Sequence, residues 1–254
     1  MNLKNKTIAI TGASGGLGTA MARRLAASGA NLALIDLKLD ALAGLSRRCE
    51  QAGATSVRIY QADVVEEAQT RSLFESIASD FGALHGLVNN AGITQDALTL
   101  KTKDGELVST MSLAQWQRVL DVNLTGVFLC GREAALRMIE LDCTGCIINI
   151  SSISRAGNMG QINYSATKAG VAAMSVVWSK EFARYGIRSA AIAPGFIGTP
   201  MVMAMKPEAQ ARISAAIPAG RVGEPDEIAQ TVQFVLENDY VNGRCIEVDG
   251  GLRL

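Results

Sequence analysis

Thr7–Ala27 reads TIAITGASGGLGTAMARRLAA. Thr7 to Ile10 is a short apolar run that reads as a buried strand, and Thr19 to Ala27 carries a helical pattern. Between them lies a glycine-rich turn. Gly12 and Gly16 let the backbone turn tightly and come close to a pyrophosphate, and Gly18 lets the helix lie against the strand. The helix N-terminus adds positive potential at the same place. The glycines of TGASGGLG depart from the G-x-G-x-x-G spacing of the general dinucleotide fingerprint, and a turn of this kind also serves simply to join strand to helix.

Outward from this unit the pattern repeats. Leu32 to Ile35 makes a second buried strand that closes on Asp36, and Leu37 to Ala52 is helical with Leu39, Leu42 and Leu45 on one stripe. Val57 to Tyr60, a helix over Glu66 to Asp80, and Leu84 to Val88 follow, the last ending in Asn89–Gly92, NNAG. Gln95 to Thr110 is polar and reads as a surface excursion. A long helix runs from Leu113 or Gln115 to Glu140. Further strands fall at Ile147–Ile150, Ile187–Ala193 and Cys245–Val248, with helices from near Ile162 and over Asp226–Leu236. Pro194 and Pro200 break the chain, and Met201 to Ile217 reads as a helical flap inside a mobile substrate loop at 196–217. The alternation predicts one α/β domain over residues 1–254: a Rossmann-type, doubly wound parallel sheet of about seven strands with helices on both faces.

Asp36 adds chemistry to the turn. A carboxylate at the end of the second strand hydrogen-bonds the ribose hydroxyls of an adenosine and repels a 2′-phosphate. Gly15 and Leu37 offer no arginine for such a phosphate, and Lys38 is the nearby cation. The alternative role for Asp36 is a helix N-cap.

A second stretch, Ile147–Gly170, reads IINISSISRAGNMGQINYSATKAG. Ser151 and Ser152 sit where the strand ends, and Tyr164 and Lys168 lie four apart on one helical face. A free phenol titrates near ~10, and a cation beside it favours the phenolate. Tyrosine, lysine and a strand-end serine thus make a proton-transfer device. The bland alternative is a half-buried ring beside a solvated amine.

Composition removes several classes. Lys+Arg 24 balances Asp+Glu 24, which gives no support to nucleic-acid or membrane-surface binding. No apolar run approaches the ~18 residues of a spanning helix, and MNLKNKTIAI lacks the apolar region of a signal peptide, so the expectation is a cytoplasmic protein. Five cysteines at uneven spacing argue against a disulfide framework. Cys143 and Cys146 form a CxxC, but His85 is the single histidine, no second ligand pair is evident and no metal is expected.

These motifs, in this order and over essentially the whole chain, resemble the classical short-chain dehydrogenase/reductase family. Thr11–Gly18 matches its TGxxxGxG turn, Asn89–Gly92 its NNAG, Asn123 in DVNLTG its helix asparagine, Tyr164 and Lys168 its YxxxK, and Pro194–Thr199 its PG-x-[IV]-x-T loop. The resemblance implies hydride transfer with NAD, and a catalytic set of Asn123, Ser152, Tyr164 and Lys168. Tyr164 is then the acid/base, Lys168 lowers its pKa and holds the nicotinamide ribose, and Asn123 places a water that relays protons to Lys168. The alternative reading of Asn123 is a cap or kink in its helix. The implied cofactor contacts are Gly12, Ser14, Gly16, Leu17, Gly18, Asp36, Asp63, Val64, Asn90, Ala91, Gly92, Tyr164, Lys168, Pro194, Gly195, Ile197 and Thr199, with Asp63 at the adenine and Ile197 and Thr199 at the carboxamide.

The loop from the serine pair to Tyr164 is one residue shorter than is usual in the family. Spacing selects Ser151 and strand-end context selects Ser152. Ser152 is preferred, because a loop absorbs a deletion better than a strand end; Ser151 and Ser154 are the fallbacks. Within the family, GNMGQINYSATKAG resembles bacterial 3-oxoacyl-thioester reductases, and the tail resembles NAD-dependent 3-hydroxyacyl-CoA dehydrogenases. Both imply an acyl-thioester substrate, the former on an acyl carrier protein; a sugar, steroid or small secondary alcohol is the alternative. Asp36 favours NADH over NADPH. The family also implies a homotetramer, paired through the helices from Leu113 and Ile162. Ala166, Ala169, Gly170, Ala172 and Ala173 would allow close approach there, and Val176, Val177 and Trp178 add apolar area.

Overall fold

The computed structural model describes Met1–Leu254, apart from the side chain of Met201. In chain order the elements are β1 (Thr7–Thr11), α1 (Gly16–Ala27), β2 (Asn31–Asp36), α2 (Leu39–Ala52), β3 (Ser56–Gln61), α3 (Glu67–Phe81), β4 (Gly86–Asn89), β5 (Leu100–Lys103) and β6 (Glu106–Thr110). Then follow α4 (Leu113–Leu120), α5 (Gly126–Glu140), β7 (Gly145–Ile150), α6 (Ile162–Glu181), β8 (Ile187–Pro194), α7 (Pro200–Met203), α8 (Pro207–Ala216), α9 (Pro225–Glu237) and β9 (Cys245–Val248).

Seven strands form one parallel sheet in the order β3-β2-β1-β4-β7-β8-β9. In β1, β4 and β7 every residue is buried, which is why the centres of these strands read as apolar runs. Successive side chains leave a strand on opposite faces. Ile8 and Ile10 therefore pack with Leu25, Leu42 and Val232 of α1, α2 and α9. Ala9 faces the other side, with Phe74, Met138 and Val171 of α3, α5 and α6. The order reverses direction between β1 and β4, and at such a point the carboxyl ends of neighbouring strands open a crevice.

Five details differ from the sequence expectations. The polar excursion contains the antiparallel hairpin β5–β6, which turns at Asp104 and Gly105, both at positive φ (53° and 84°). The long helix before β7 is not continuous: α4 and α5 are joined by a π turn at Asp121–Thr125, with Asn123 buried inside it. Leu39 is exposed at the start of α2, while Leu42 and Leu45 are buried. Gly170 and Trp178 pack within the subunit rather than facing outward. A Cβ on Gly170 would lie 2.8 Å from Leu124, and Trp178 is 5% exposed and covers Gly131. The proposed flap is two short helices, α7 and α8.

Candidate active site

The glycine turn is shaped by close backbone approach. Gly12 has φ +62°, and a Cβ there would fall 2.8 Å from Ala91 Cα; one on Gly18 would collide with the Gly12 carbonyl. Only glycine fits either place. Asn90 holds the turn from the neighbouring strand end, its Nδ2 donating to the carbonyls of Thr11 at 3.1 Å and Gly12 at 2.9 Å. Thr11 Oγ1 accepts the backbone N–H groups of Asn90 and Ala91 at 3.0 and 3.1 Å. The first turn of α1 has no acidic residue, and Gly15 at its N-cap offers no side-chain acceptor. This is a cradle for an anionic group, with Leu17 half-buried behind it against the core.

Asp36 is not the N-cap of α2; Lys38 occupies that position. Instead Asp36 Oδ2 accepts the Ser14 N–H at 3.0 Å and the Ser14 Oγ–H at 2.7 Å, and Oδ1 accepts the Leu37 N–H at 2.8 Å. The carboxylate is thus fixed beside the turn. Asp63 Oδ1 accepts the Val65 N–H at 3.2 Å, and Val64 packs on Gly126, where a Cβ would come within 2.9 Å. Pro194 ends β8, and a Cβ on Gly195 would fall 2.7 Å from Asp249 Cα. Ile197 is buried and bridges to Gly223. Thr199 precedes α7, and a Cβ on Gly16 would lie 3.2 Å from its side chain, so this loop and the glycine turn face each other across the crevice.

The candidate proton-transfer residues gather where β7 meets α6. Lys168 is buried; its Nζ donates to the Ile150 carbonyl at 2.7 Å and lies 5.4 Å from the Tyr164 ring centroid. Burial lowers the ammonium to about 8 and pushes the Tyr164 phenol up, while hydrogen bonding with Ser152 pulls the phenol back and the charge of Asp96 raises it further. Ser152 is the serine that bears on the phenol. Its Oγ also accepts the Ser154 N–H at 3.1 Å and opens the 3-10 turn Ile153–Ala156. Ser151 is buried, with its Oγ donating to the Lys168 carbonyl at 2.6 Å, and Ser154 Oγ donates to Gln161 Oε1 at 3.0 Å.

Asn123 reaches the cluster from the π turn. Its Nδ2 donates to the Ile93 carbonyl and its Oδ1 accepts the Ile93 N–H, both at 2.8 Å. Gly92 lies between the two groups: a Cβ on it would meet Asn123 Oδ1 at 3.3 Å and Lys168 Nζ at 3.6 Å. Sequence reasoning missed the polar thread beneath the site. Asn89 Nδ2 donates to Asn149 Oδ1 at 2.9 Å, and Asn149 Nδ2 donates to Ser175 Oγ at 2.9 Å, joining β4, β7 and α6 through the core. Asn149, between isoleucines in a buried strand, was the available signal, because a buried amide requires partners.

Every site residue so far lies at the carboxyl end of the sheet or on the elements that follow it. A family model described as "Enoyl-(Acyl carrier protein) reductase" matches residues 12–253. The chain is 38% identical to the 3-oxoacyl-[acyl-carrier-protein] reductase FabG of Thermotoga maritima over 99% of both chains. It is 37% identical to the human (3R)-3-hydroxyacyl-CoA dehydrogenase over 98% of this chain and 96% of that one. A solved short-chain type dehydrogenase/reductase from Mycobacterium marinum superposes with a TM-score of 0.87 at 30% identity, covering 98% of this chain and 96% of the other. With the glycine cradle, the NNAG corner and the Tyr164–Lys168 pair, these likenesses run the length of the fold, and the chain belongs to the short-chain dehydrogenase/reductase family of NAD(P)-dependent oxidoreductases.

Proposed function

We propose that the protein interconverts 3-oxoacyl and 3-hydroxyacyl thioesters, carried on coenzyme A or an acyl carrier protein, with NAD(H) preferred over NADP(H). The observation that carries this reading is the Ser152–Tyr164–Lys168 cluster at the crevice, in a chain whose full-length relatives are named for these two reactions. Two hydroxyls on one side suit a single substrate oxygen that gains negative charge, which supports carbonyl chemistry at this site.

The residues present fit a dinucleotide. Gly12, Ser14, Gly16, Leu17 and Gly18 would hold its diphosphate, Asp36 its adenosine ribose, and Asp63 and Val64 its adenine. Asn90, Ala91, Gly92, Tyr164 and Lys168 would hold the second ribose, and Pro194, Gly195, Ile197 and Thr199 the carboxamide. When bound, the nicotinamide exchanges the hydride. Tyr164 gives its phenolic proton to the substrate oxygen in reduction and takes it back in oxidation. Ser152 donates to the same oxygen and holds it against the phenol. Lys168 favours the phenolate by its charge, and Asn123, anchored on the Ile93 backbone, holds a water that returns protons to Lys168. Asp36 disfavours a 2′-phosphate, since its carboxylate is fixed by Ser14 and Leu37 with no arginine beside it.

Homotetramer assembly is supported by two exposed stripes. On α6 the stripe contains Ile162, Ala166, Ala169, Ala173, Val176 and Val177, and on α5 it contains Phe128, Leu136 and Ile139. The test of function is turnover of NADH with acetoacetyl-CoA. Steady oxidation supports the reading; turnover of simple secondary alcohols with no activity on any acyl thioester would replace the substrate class.

A further inference from the structure

Three bonds tie the loop after β4 to the turn that leads into α6. Gln161 Nε2 donates to Asp96 Oδ2 at 2.8 Å, the Ala97 N–H donates to the Gly160 carbonyl at 2.9 Å, and Asn163 Nδ2 donates to the Gln95 carbonyl at 3.1 Å. From Gln161 the contacts continue inward. Its Oε1 accepts Ser154 Oγ and Asn158 Nδ2, each at 3.0 Å, and the N–H of buried Ser154 donates to Ser152 Oγ at 3.1 Å. Asn163 Oδ1 accepts the Tyr164 N–H at 2.8 Å.

Gln161 stands at the N-cap of α6, yet its side chain makes no cap bond. Ser, Thr, Asp and Asn satisfy a helix start there. This glutamine instead commits both ends of its amide to Asp96 on one side and to Ser154 and Asn158 on the other.

Taking Tyr164 as the acid/base, as proposed above, we infer that Asp96 is a positioning residue: through Gln161 and Ser154 it sets where the Ser152 hydroxyl stands against the Tyr164 phenol. Its charge has a second effect, because a carboxylate near the phenol opposes formation of the phenolate. The cation beside the ring is Lys168 of α6, its Nζ 5.4 Å from the ring centroid, and a cation so placed favours the phenolate. Asp96 and Lys168 therefore pull the phenol in opposite directions.

Two substitutions separate geometry from charge. Asp96→Asn keeps an acceptor for Gln161 and removes the charge; Asp96→Ala removes both. The first readout is the pH titration of tyrosinate absorbance, with the Tyr164→Phe signal subtracted, which requires no substrate. The second is kcat and KM against pH for oxidation of a 3-hydroxyacyl-CoA. Asp96→Asn is expected to lower the Tyr164 midpoint by a few tenths of a unit to about one unit, and to carry the rising limb of kcat with it. Asp96→Ala is expected to lose roughly tenfold more in kcat than Asp96→Asn, with a smaller change in KM, as the serine and phenol lose their mutual placement. An unmoved midpoint in Asp96→Asn, or a kcat for Asp96→Ala no lower than for Asp96→Asn, overturns the inference. Should Tyr164→Phe itself turn over normally, the reading of the site fails instead, and the substrate-free titration still decides the role of the Asp96 charge.

Discussion

Ser151 Oγ donates to the backbone carbonyl of Lys168 at 2.6 Å, so the first serine of the pair is bound into α6 while the second bears on the Tyr164 phenol. Neighbours on a strand end point to opposite sides, and on the proposed reading that alternation leaves Ser151 a structural duty and Ser152 a chemical one. Ser152→Ala is expected to lose roughly a hundredfold or more in turnover, the loss of one oxyanion-type donor. Ser151→Ala is expected to be mild in turnover and to lower stability by about 1 kcal/mol, the worth of a buried hydrogen bond. Steady-state kinetics and urea midpoints of both variants check the division; the reverse ranking in turnover would assign the chemistry to Ser151.

Tyr164→Phe removes the proposed proton donor while leaving the ring. Turnover should fall by at least about a hundredfold, as expected for removal of a positioned acid/base, with NADH affinity little changed. Turnover within a few-fold of wild type, measured beside NADH binding by fluorescence, would remove Tyr164 from the mechanism.

Lys168 has a stability consequence as well as a chemical one. Its pKa falls from 10.5 to about 8 on burial, so the folded state disfavours the charged form. The resulting penalty is fully present below about pH 8 and is relieved as pH rises from about 8 toward 10.5. Its size is on the order of 3 kcal/mol, reduced in practice by the bond to the Ile150 carbonyl. Lys168→Met should therefore raise the thermal midpoint at pH 7 while abolishing most turnover and weakening cofactor binding, and its stability advantage should shrink toward pH 10. A midpoint lowered at pH 7 would show that the Ile150 bond outweighs the buried charge.

On the proposed reading, cofactor choice rests on Asp36. An unpaired like charge beside a 2′-phosphate costs on the order of 1–3 kcal/mol, equivalent to roughly a ten- to hundredfold preference for NADH. Asp36→Ala combined with Leu37→Arg should narrow or invert it. It should also loosen the glycine turn, because Ser14 loses the acceptor of two bonds. The check is kcat/KM for both cofactors with acetoacetyl-CoA; a wild-type preference for NADPH contradicts the reading.

Assembly is tested on the exposed stripe of α6. Ala173→Glu places a charge in the centre of that face and should convert a tetrameric mass in light scattering to a smaller one. A monomeric wild type at micromolar concentration would leave the stripe without that role.

Much of this was legible in the sequence. Buried parallel strands are apolar over most of their length, and the glycine turn, NNAG and YxxxK are local patterns whose spacing survives folding. What escaped was decided elsewhere. The β5–β6 hairpin carries Asp104–Gly105, a two-residue turn signal, but its flanks show no clean alternation, so nothing marked them as strands. The partner of Ser151, the Lys168 carbonyl, lies 17 residues away along the chain, so no local spacing announced that bond. The Asp96–Gln161 contact spans 65 residues and involves side chains of no distinctive spacing. Trp178 looked like interface area because its helix is rich in small residues; the space left by Gly131 on α5 takes it inward.

The π turn at Asp121–Thr125 also decides where this chain can change in length. A π turn holds one residue more than an α turn, and α4 and α5 keep their buried faces on either side of it. Losing one residue inside either helix would swing all that follows by about 100° and expose its apolar face. Losing one inside the π turn lets the two helices anneal into a continuous coil with both faces preserved, and withdraws Asn123 from Ile93. With Asn123 in the role proposed above, a deletion there is expected to leave a folded protein with impaired chemistry, so natural variation in length at this point would mark a loss of activity rather than a loss of fold.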